Sequence, residues 1–591
     1  MARRQLDHRG SRLATLFTAG QPRRRLLIAL VVMLAILAAV LVKVGLLQTI
    51  QGETLRSAAT QQWTRDRTLP AQRGAIFDRN GNELALSVPA STVTVNPRQV
   101  VDAEGTAELF ARTLGLDARR QIELRTAMEA KDLGFLYVAR QVDTDHAQQL
   151  ADLDLAGVTI YAEDRRILPG GNTGRSVVGR TDIDGNGTAG LELQYDHVLR
   201  GQPGETTTEV APGGRSIAGS QVTSEPLPGH DIILTIDSAV QYAVEQALLK
   251  RVAETGARGA QGIVMSSKTG EIIAMASVRI NDDGVYEIPT GNYAAVDAYE
   301  PGSVGKVITI AGGLNEGVVT PETEFLVPWR KQFTNKGDFL SDAVFHEEQL
   351  MTVEQILVKS SNIGTITVSE QMGFAKQYDY LRAFGFGEVT ALDFPQESQG
   401  ILHPWETWEG TEKFTVAYGQ YVASSPIQLI AAVNTVANDG RYIAPKLIAG
   451  IVGRDGEVNE TPSPPSREVV SERVAEQMQA MMKEVVCSGT ATQAQVPGLS
   501  IAGKTGTGYI AQPEGGYVKA DGSKDYYASF VGFLPAEDPQ VTILISIDDL
   551  RSDAEDRFGG TVSAPVFRDL APRMVNELGI QAPAGSTGCP E

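Results

Sequence analysis

Ser303 and Lys306 stand three residues apart in Ser303-Val-Gly-Lys306, directly after the chain-breaking pair Pro301-Gly302 and at the head of the apolar run Val307 to Leu314. On a helix that spacing sets a hydroxyl and an amine one turn apart on one face. It also places the hydroxyl at the helix N-terminus, where free N–H groups favour a developing anion. A serine attacks a carbonyl only when a neighbouring base takes its proton, and Lys306 is the titratable side chain one turn on. It must be neutral when it acts. Moving a lysine from ~10.4 to ~7 costs about 4.6 kcal/mol, more than a surface neighbour supplies, so burial and a second cation are implied. Later in the chain come Ser360-Ser-Asn362 and Lys504-Thr-Gly506-Thr507, and Lys504 is the natural second cation.

Each of these elements alone is weak. Ser-x-x-Lys pairs arise by chance, and Lys268-Thr269-Gly270 is a second Lys-Thr-Gly, placed in a hairpin turn ahead of the serine. Order and setting raise the trio. Ser360 reads plainly as a helix N-cap that could also relay a proton. Asn362 buried without a ligand would be costly, which favours a cleft-facing position. Lys504 to Thr507 reads as an edge strand on which the missing side chain of Gly506 lets a substrate backbone lie close. A rival remains, because Gly498-Leu-Ser-Ile-Ala-Gly503-Lys504-Thr505 matches the phosphate-binding pattern G-x-x-x-x-G-K-[ST] in full. That mechanism needs a helix after the threonine, whereas Gly506-Thr-Gly508 favours strand and turn, so an NTPase is set aside. No metal or cofactor is expected. The six histidines are scattered, and His346-Glu347-Glu348 lacks the second histidine of a zinc helix.

The elements that must position these groups are legible from punctuation and periodicity. Residues 72–85 read as a hairpin turning at Asn80-Gly81-Asn82. Helical patterns follow at Ala107 to Leu114 and Ala118 to Ala130, and then a Gly-rich stretch from Gly179 to Glu192, together an α+β module. Residues 209–230 turn to Pro, Gly and Ser, as a connection between domains does. Beyond it, Ile232 to Ile236 reads as a strand, Ser238 to Thr255 as a helix capped by Ser238, and Gly262 to Met265 and Glu271 to Ala276 as paired strands. The tail after Gln581 reads as disordered. Seven arginines in the first 25 residues precede the apolar run Leu26 to Val42, which resumes after Lys43 to Leu47. A cleaved signal peptide is the rival, but with no small-x-small cleavage site the run reads as an uncleaved anchor, with its basic arm expected in the cytoplasm and the rest outside the membrane. The expected organisation is multidomain α+β: a cytoplasmic arm 1–25, a transmembrane helix 26–47, a pedestal domain 48–228, a second domain 229–578 and a tail 579–591. The net charge of −20 carries no basic stripe past the membrane, so no nucleic acid is expected. Cys487 and Cys589 make no disulfide framework; the plainer reading is one semi-buried thiol and one in a loose tail, with a single bridge left open.

These residues together resemble a class B penicillin-binding protein, a monofunctional peptidoglycan D,D-transpeptidase, over roughly residues 70 to 575. The resemblance also rests on Tyr299-Glu-Pro-Gly-Ser303, Ser361-Asn-Ile-Gly364, Ala417-Tyr-Gly-Gln420, Pro426-Ile-Gln428 to Ala437-Asn-Asp-Gly440, Ala528-Ser-Phe-Val-Gly-Phe533 and Arg73-Gly-Ala-Ile-Phe-Asp-Arg-Asn-Gly81. It implies a dimerisation-type pedestal and a transpeptidase domain of serine β-lactamase-like fold, an antiparallel sheet flanked by helices. It implies that a D-alanyl-D-alanine stem acylates Ser303, that Ser360 relays the proton to the leaving amine, and that Asn362 hydrogen-bonds the substrate. Lys504 and Thr505 would hold the terminal carboxylate, and the N–H groups of Ser303 and Thr507 would form the oxyanion hole. The acyl group would pass to an amine on a neighbouring strand, and β-lactams would trap the acyl-enzyme. Implied partners are stem peptides on lipid-linked glycan strands, a polytopic glycan polymerase and division proteins, since no polymerising domain is evident. The Gly179 to Glu192 segment resembles division-type enzymes. An elongation-type enzyme, a D,D-carboxypeptidase or β-lactamase and a non-catalytic β-lactam-binding scaffold are the alternatives. Two departures, Gly305 where an aromatic is common and Tyr421 where glycine is common, bear on substrate or drug fit.

Overall fold

Hydropathy decides the first element. In the computed structural model, which describes residues 22–49, 53, 64–209, 221–334, 337–510, 516–519, 522–550 and 556–590, Pro22–Thr49 is one helix of 28 residues with its apolar side chains exposed. At about 1.5 Å per residue it is longer than the ~30 Å hydrocarbon core of a bilayer, and the expected span 26–47 lies inside it. Most of the basic arm, and residues 210–220 of the Pro/Gly/Ser connection, fall outside the described residues.

The chain divides into two units. One comprises residues 1–70 and 203–226, where Thr64–Leu69, Gly204–Glu209 and Gln221–Ser224 form a three-stranded antiparallel sheet in that order. The other comprises residues 71–202 and 227–591. It opens with the expected hairpin, Ile76–Phe77 (β1) against Glu83–Val95 (β2), with Ile76 opposite Ala85. Asp78 makes the turn, its Oδ1 accepting the N–H groups of Asn80 and Asn82 at 2.8 Å each. Helices Ala103–Leu114 (α1) and Ala118–Ala130 (α2) are N-capped by Asp102 and Asp117. With Leu136–Val142 (β3) and Val158–Ile167 (β4), both paired to β2, they enclose a core of Val93, Val95, Phe110, Leu124 and Met128. The Gly-rich segment folds so that Glu192, 1% exposed, lies between Arg73 Nε at 2.6 Å and Arg166 Nε at 2.7 Å. Strand Asp231–Leu234 (β5) then pairs parallel with β1 and antiparallel with Ile448–Val452, so strands from both sides of residue 228 share a sheet.

The second sheet carries the site. Gly259–Ser266 (β6), Ile272–Ile280 (β7), Ala502–Tyr509 (β8), Tyr526–Leu534 (β9) and Val541–Leu550 (β10), with the short Tyr286–Glu287, are ordered Tyr286–Glu287, β7, β6, β10, β9, β8, all antiparallel. Strand β8 is therefore an edge, as its sequence implies. Helices cover both faces, and the two-residue period of a strand shows it. Thr542 donates to Asn434 of helix Pro426–Ala437, while Ile545, on the opposite face, packs by Gly262 with Val244 of helix Ser238–Thr255.

Three expectations need correction. Helix Ser238–Thr255 is capped by Asp237, whose Oδ1 accepts from Ala239 and Val240, while the Ser238 hydroxyl donates to Asp78 Oδ2 at 2.7 Å. Cys487 and Cys589 are joined in a disulfide and are not free thiols. The tail expected to be disordered is tied down: besides Cys589, Ser586 Oγ donates to Glu537 Oε2 at 2.6 Å and Lys483 Nζ to the Thr587 carbonyl at 3.1 Å. Proximity across 102 residues of sequence is a tertiary fact that composition does not carry.

Candidate active site

Ser303 lies in the one-turn 3-10 helix Gly302–Gly305 that runs into the buried helix Lys306–Asn315 (α3). It is half-buried between fully buried neighbours. Its turn is held by two close approaches of backbone. The Gly302 N–H donates to the Gly419 carbonyl at 3.0 Å, and Gly419, at φ 78°, leaves no room for a side chain, since a Cβ would sit 2.2 Å from the Gly302 oxygen. On the other flank a Cβ at Gly506 would lie 2.6 Å from Ser529 Oγ and 2.7 Å from the Pro301 oxygen. The glycine expected to admit a substrate backbone thus admits the nucleophile's own turn, and the reason is that β8 packs directly against residues 302–305.

Two lysines converge on one serine. Lys306 and Lys504 are both fully buried. Lys306 Nζ donates to the Ser360 carbonyl and to Ser360 Oγ at 3.1 Å, and Lys504 Nζ reaches the same Oγ at 3.0 Å. Burial, then the charge of Lys504, holds the Lys306 pKa well below the ordinary lysine value, against a smaller opposite pull from Asp342. Burial pushes Lys504 down to about 7. A buried amine held below its ordinary pKa beside a second buried lysine is an arrangement that can supply a neutral base.

Ser360 is not the N-cap. Helix Asn362–Met372 (α4) is capped by Ser361, whose Oγ accepts the Gly364 N–H at 3.0 Å, while Ser360 stands before it at φ 61°. Left-handed backbone costs a side-chain-bearing residue about 1–2 kcal/mol, and the two lysines hold its hydroxyl there. Asn362 is half-buried, and its Nδ2 donates to the Ser341 carbonyl at 2.9 Å. Thr505 is buried with Oγ1 2.7 Å from Thr490 Oγ1, and Thr507 Oγ1 accepts the Gly559 N–H at 3.3 Å. The eight expected site residues therefore lie in the turn before α3 (Ser303), at the start of α3 (Lys306), before and at the start of α4 (Ser360 and Asn362) and along β8 (Lys504 to Thr507). The decoy Lys268 is elsewhere, paired with Asp439 at 2.7 Å. No helix follows Thr505, because Gly503 to Thr507 lie inside β8, and that removes the geometry a phosphate-binding loop needs.

The sequence reading missed several supports. Glu300 precedes the nucleophile's turn, and its Oε1 accepts the Tyr421 N–H at 2.9 Å and the Tyr517 hydroxyl at 2.6 Å; burial pushes its pKa up. Tyr421, where glycine is common, adopts φ 62°, a conformation that glycine takes without strain. Asp342 and Thr490 were missed because no local pattern marks a residue that acts across the chain.

Comparison with known proteins agrees with this architecture. Residues 68–234 match the penicillin-binding protein dimerisation domain, and residues 261–571 match the penicillin-binding protein transpeptidase domain. Stage V sporulation protein D of Bacillus subtilis is 31% identical over 575 residues, covering 95% of this chain and 86% of that protein. Peptidoglycan D,D-transpeptidase FtsI of Escherichia coli is 30% identical over 564 residues, covering 93% of this chain and 91% of that protein. Among solved structures, penicillin-binding protein 3 of Mycobacterium tuberculosis complexed with aztreonam superposes with a TM-score of 0.66 at 26% identity, covering 89% of this chain and all of that one. With an apolar N-terminal helix, a dimerisation domain and a transpeptidase domain that carries the Ser303, Ser360 and Lys504 motifs, the chain belongs to the class B penicillin-binding proteins.

Proposed function

We propose that this chain is a membrane-anchored peptidoglycan D,D-transpeptidase that acts through a Ser303 acyl-enzyme in septal wall synthesis. The observation that carries the reading is the convergence of two buried lysines on the Ser360 hydroxyl beside the Ser303 turn. In the forward step the Lys306 amine takes the Ser303 proton and Oγ attacks the penultimate D-alanine carbonyl of a donor stem. The oxyanion is met by the N–H groups of Ser303 and Thr507, donors worth about 3 kcal/mol each. Lys504 and Thr505 hold the terminal carboxylate, and Asn362 hydrogen-bonds the stem. As the C–N bond breaks, the proton on Lys306 passes through the Ser360 hydroxyl to the leaving D-alanine amine. An acceptor amine on a neighbouring stem then attacks the ester, gives up its proton along the same route and restores Ser303.

The name of the Escherichia coli relative supports the D,D-transpeptidase activity, and the resemblance of the Gly179 to Glu192 segment to division-type enzymes supports the septal assignment. The arginine arm supports a cytoplasmic N-terminus, a pedestal over 48–228 and a catalytic domain over 229–578 outside the membrane. A polytopic glycan polymerase and division proteins are the partners this arrangement calls for, with glycan strands bearing stem peptides as substrate and β-lactams as inhibitors. Intact mass after exposure to a fluorescent penicillin tests the nucleophile: one adduct per chain is expected on the wild type and none on Ser303→Ala. No adduct on folded wild-type protein would leave a scaffold. Depletion tests the septal role, with filamentation expected and rounding against it.

A further inference from the structure

The carboxylate of Asp342, 7% exposed, sits at the N-terminus of α4. Its Oδ1 accepts the Ile363 N–H at 2.9 Å and its Oδ2 the Ser361 hydroxyl at 2.7 Å. The backbone beside it is equally fixed: the Asp342 N–H donates to the Trp329 carbonyl at 2.9 Å, and the Ser341 carbonyl accepts from Asn362. Such a carboxylate shapes the Ser360 to Asn362 turn, but its charge favours the protonated form of Lys306, the form that is no base. His346 opposes that charge. Its Nε2 lies 2.9 Å from Asp342 Oδ2 and its Nδ1 2.8 Å from the Glu347 carbonyl. Both partners are acceptors. A neutral imidazole has one N–H and satisfies only one of them, whereas the imidazolium satisfies both.

Resting on the assignment of Ser303 and Lys306 above, we propose that His346 is a positioning residue for that pair and acts through Asp342. As an imidazolium it cancels the negative charge that Lys306 faces and braces the Asp342 contacts to Ser361 and Ile363; on losing its proton it uncovers that charge. The surrounding groups are few. Lys306 faces Lys504 from β8 and Asp342 from the loop that follows strand Phe339–Ser341. His346 faces Asp342 and the Glu347 carbonyl, and Lys359 opposes its protonation. Burial lowers the His346 pKa, but its two acceptors outweigh this and the net displacement is upward. Tyr418 feels both Glu300 and Asp342 and is held protonated by its burial.

The test is the second-order rate of acylation by a fluorescent penicillin on the full chain, followed from about pH 5 to about pH 9, across which a histidine titrates. In His346→Gln the acid limb should move up by about one pH unit, a rate on the order of tenfold lower on the acid side, and rejoin the wild type once wild-type His346 is neutral. His346→Arg, a fixed cation, should restore the acid side. Adding His346→Gln to Asp342→Asn should move the limb no further than Asp342→Asn alone. A lowered plateau with an unmoved acid limb, or an upward shift that persists without the Asp342 carboxylate, would overturn the proposal. Labelling that persists in Ser303→Ala would overturn the nucleophile assignment, and this proposal with it.

Discussion

The Ser360 hydroxyl is shared by two lysines, one that the proposed mechanism needs neutral and one that it needs charged. Lys306 lies well below the ordinary value and Lys504 at about 7. Acylation should therefore rise as Lys306 deprotonates and fall as the pH climbs through about 7 and Lys504 is neutralised, a bell visible in rate against pH. Replacing Lys306 with alanine should lower the acylation rate by about 10²–10⁴-fold. Lys504 also weighs on stability. Its folded pKa lies below its unfolded one, so folding expels a proton. The penalty is full below about 7 and fades as pH rises toward the unfolded value. At neutral pH Lys504→Met should abolish acylation yet raise stability by about 3 kcal/mol, read as a higher Tm. The types and order of Ser303, Lys306, Ser360 and Lys504 were legible because this chemistry admits few substitutes. The left-handed backbone of Ser360 was not, since no residue type announces φ 61° outside glycine.

At the scale of elements, period and punctuation sufficed where a segment's own residues decide its state. The hairpin at Asn80 to Asn82, the helix Ser238–Thr255 and the edge strand β8 were all legible for that reason. They failed where a distant partner decides. Gly506 faces Pro301, and Cys589 meets Cys487 at the end of helix Glu472–Cys487. Gly506→Ala should force β8 and the nucleophile's turn apart, costing about 1–3 kcal/mol and most of the acylation rate, measured by urea unfolding and penicillin labelling. Cys589→Ser should cost about 2–4 kcal/mol, because an open chain gains freedom in the unfolded state. Its labelling by penicillin should survive at temperatures below the lowered Tm.

For the molecule as a whole, the Arg73, Glu192 and Arg166 cluster is the point where the hairpin, the Gly-rich segment and β4 are pinned together. Glu192→Ala would leave the buried Arg166 guanidinium without its carboxylate and Arg73 with Asp196 alone, and a loss of about 3–5 kcal/mol is expected in chemical denaturation, with penicillin labelling intact in the protein that remains folded. The sequence marked Arg73 and Glu192 as motif members, but their meeting depends on a fold that brings residues 119 apart into contact. The shared hydroxyl of Ser360 has a further consequence for escape from antibiotics. On the proposed mechanism a drug contact at Ser360 would fall on the atoms that move protons for the natural donor, so changes that weaken drug binding and spare activity are expected away from it. Such changes are expected at positions like Tyr421, whose ring lies 5.3 Å from that of His403 and whose N–H donates to Glu300 Oε1 three residues before Ser303.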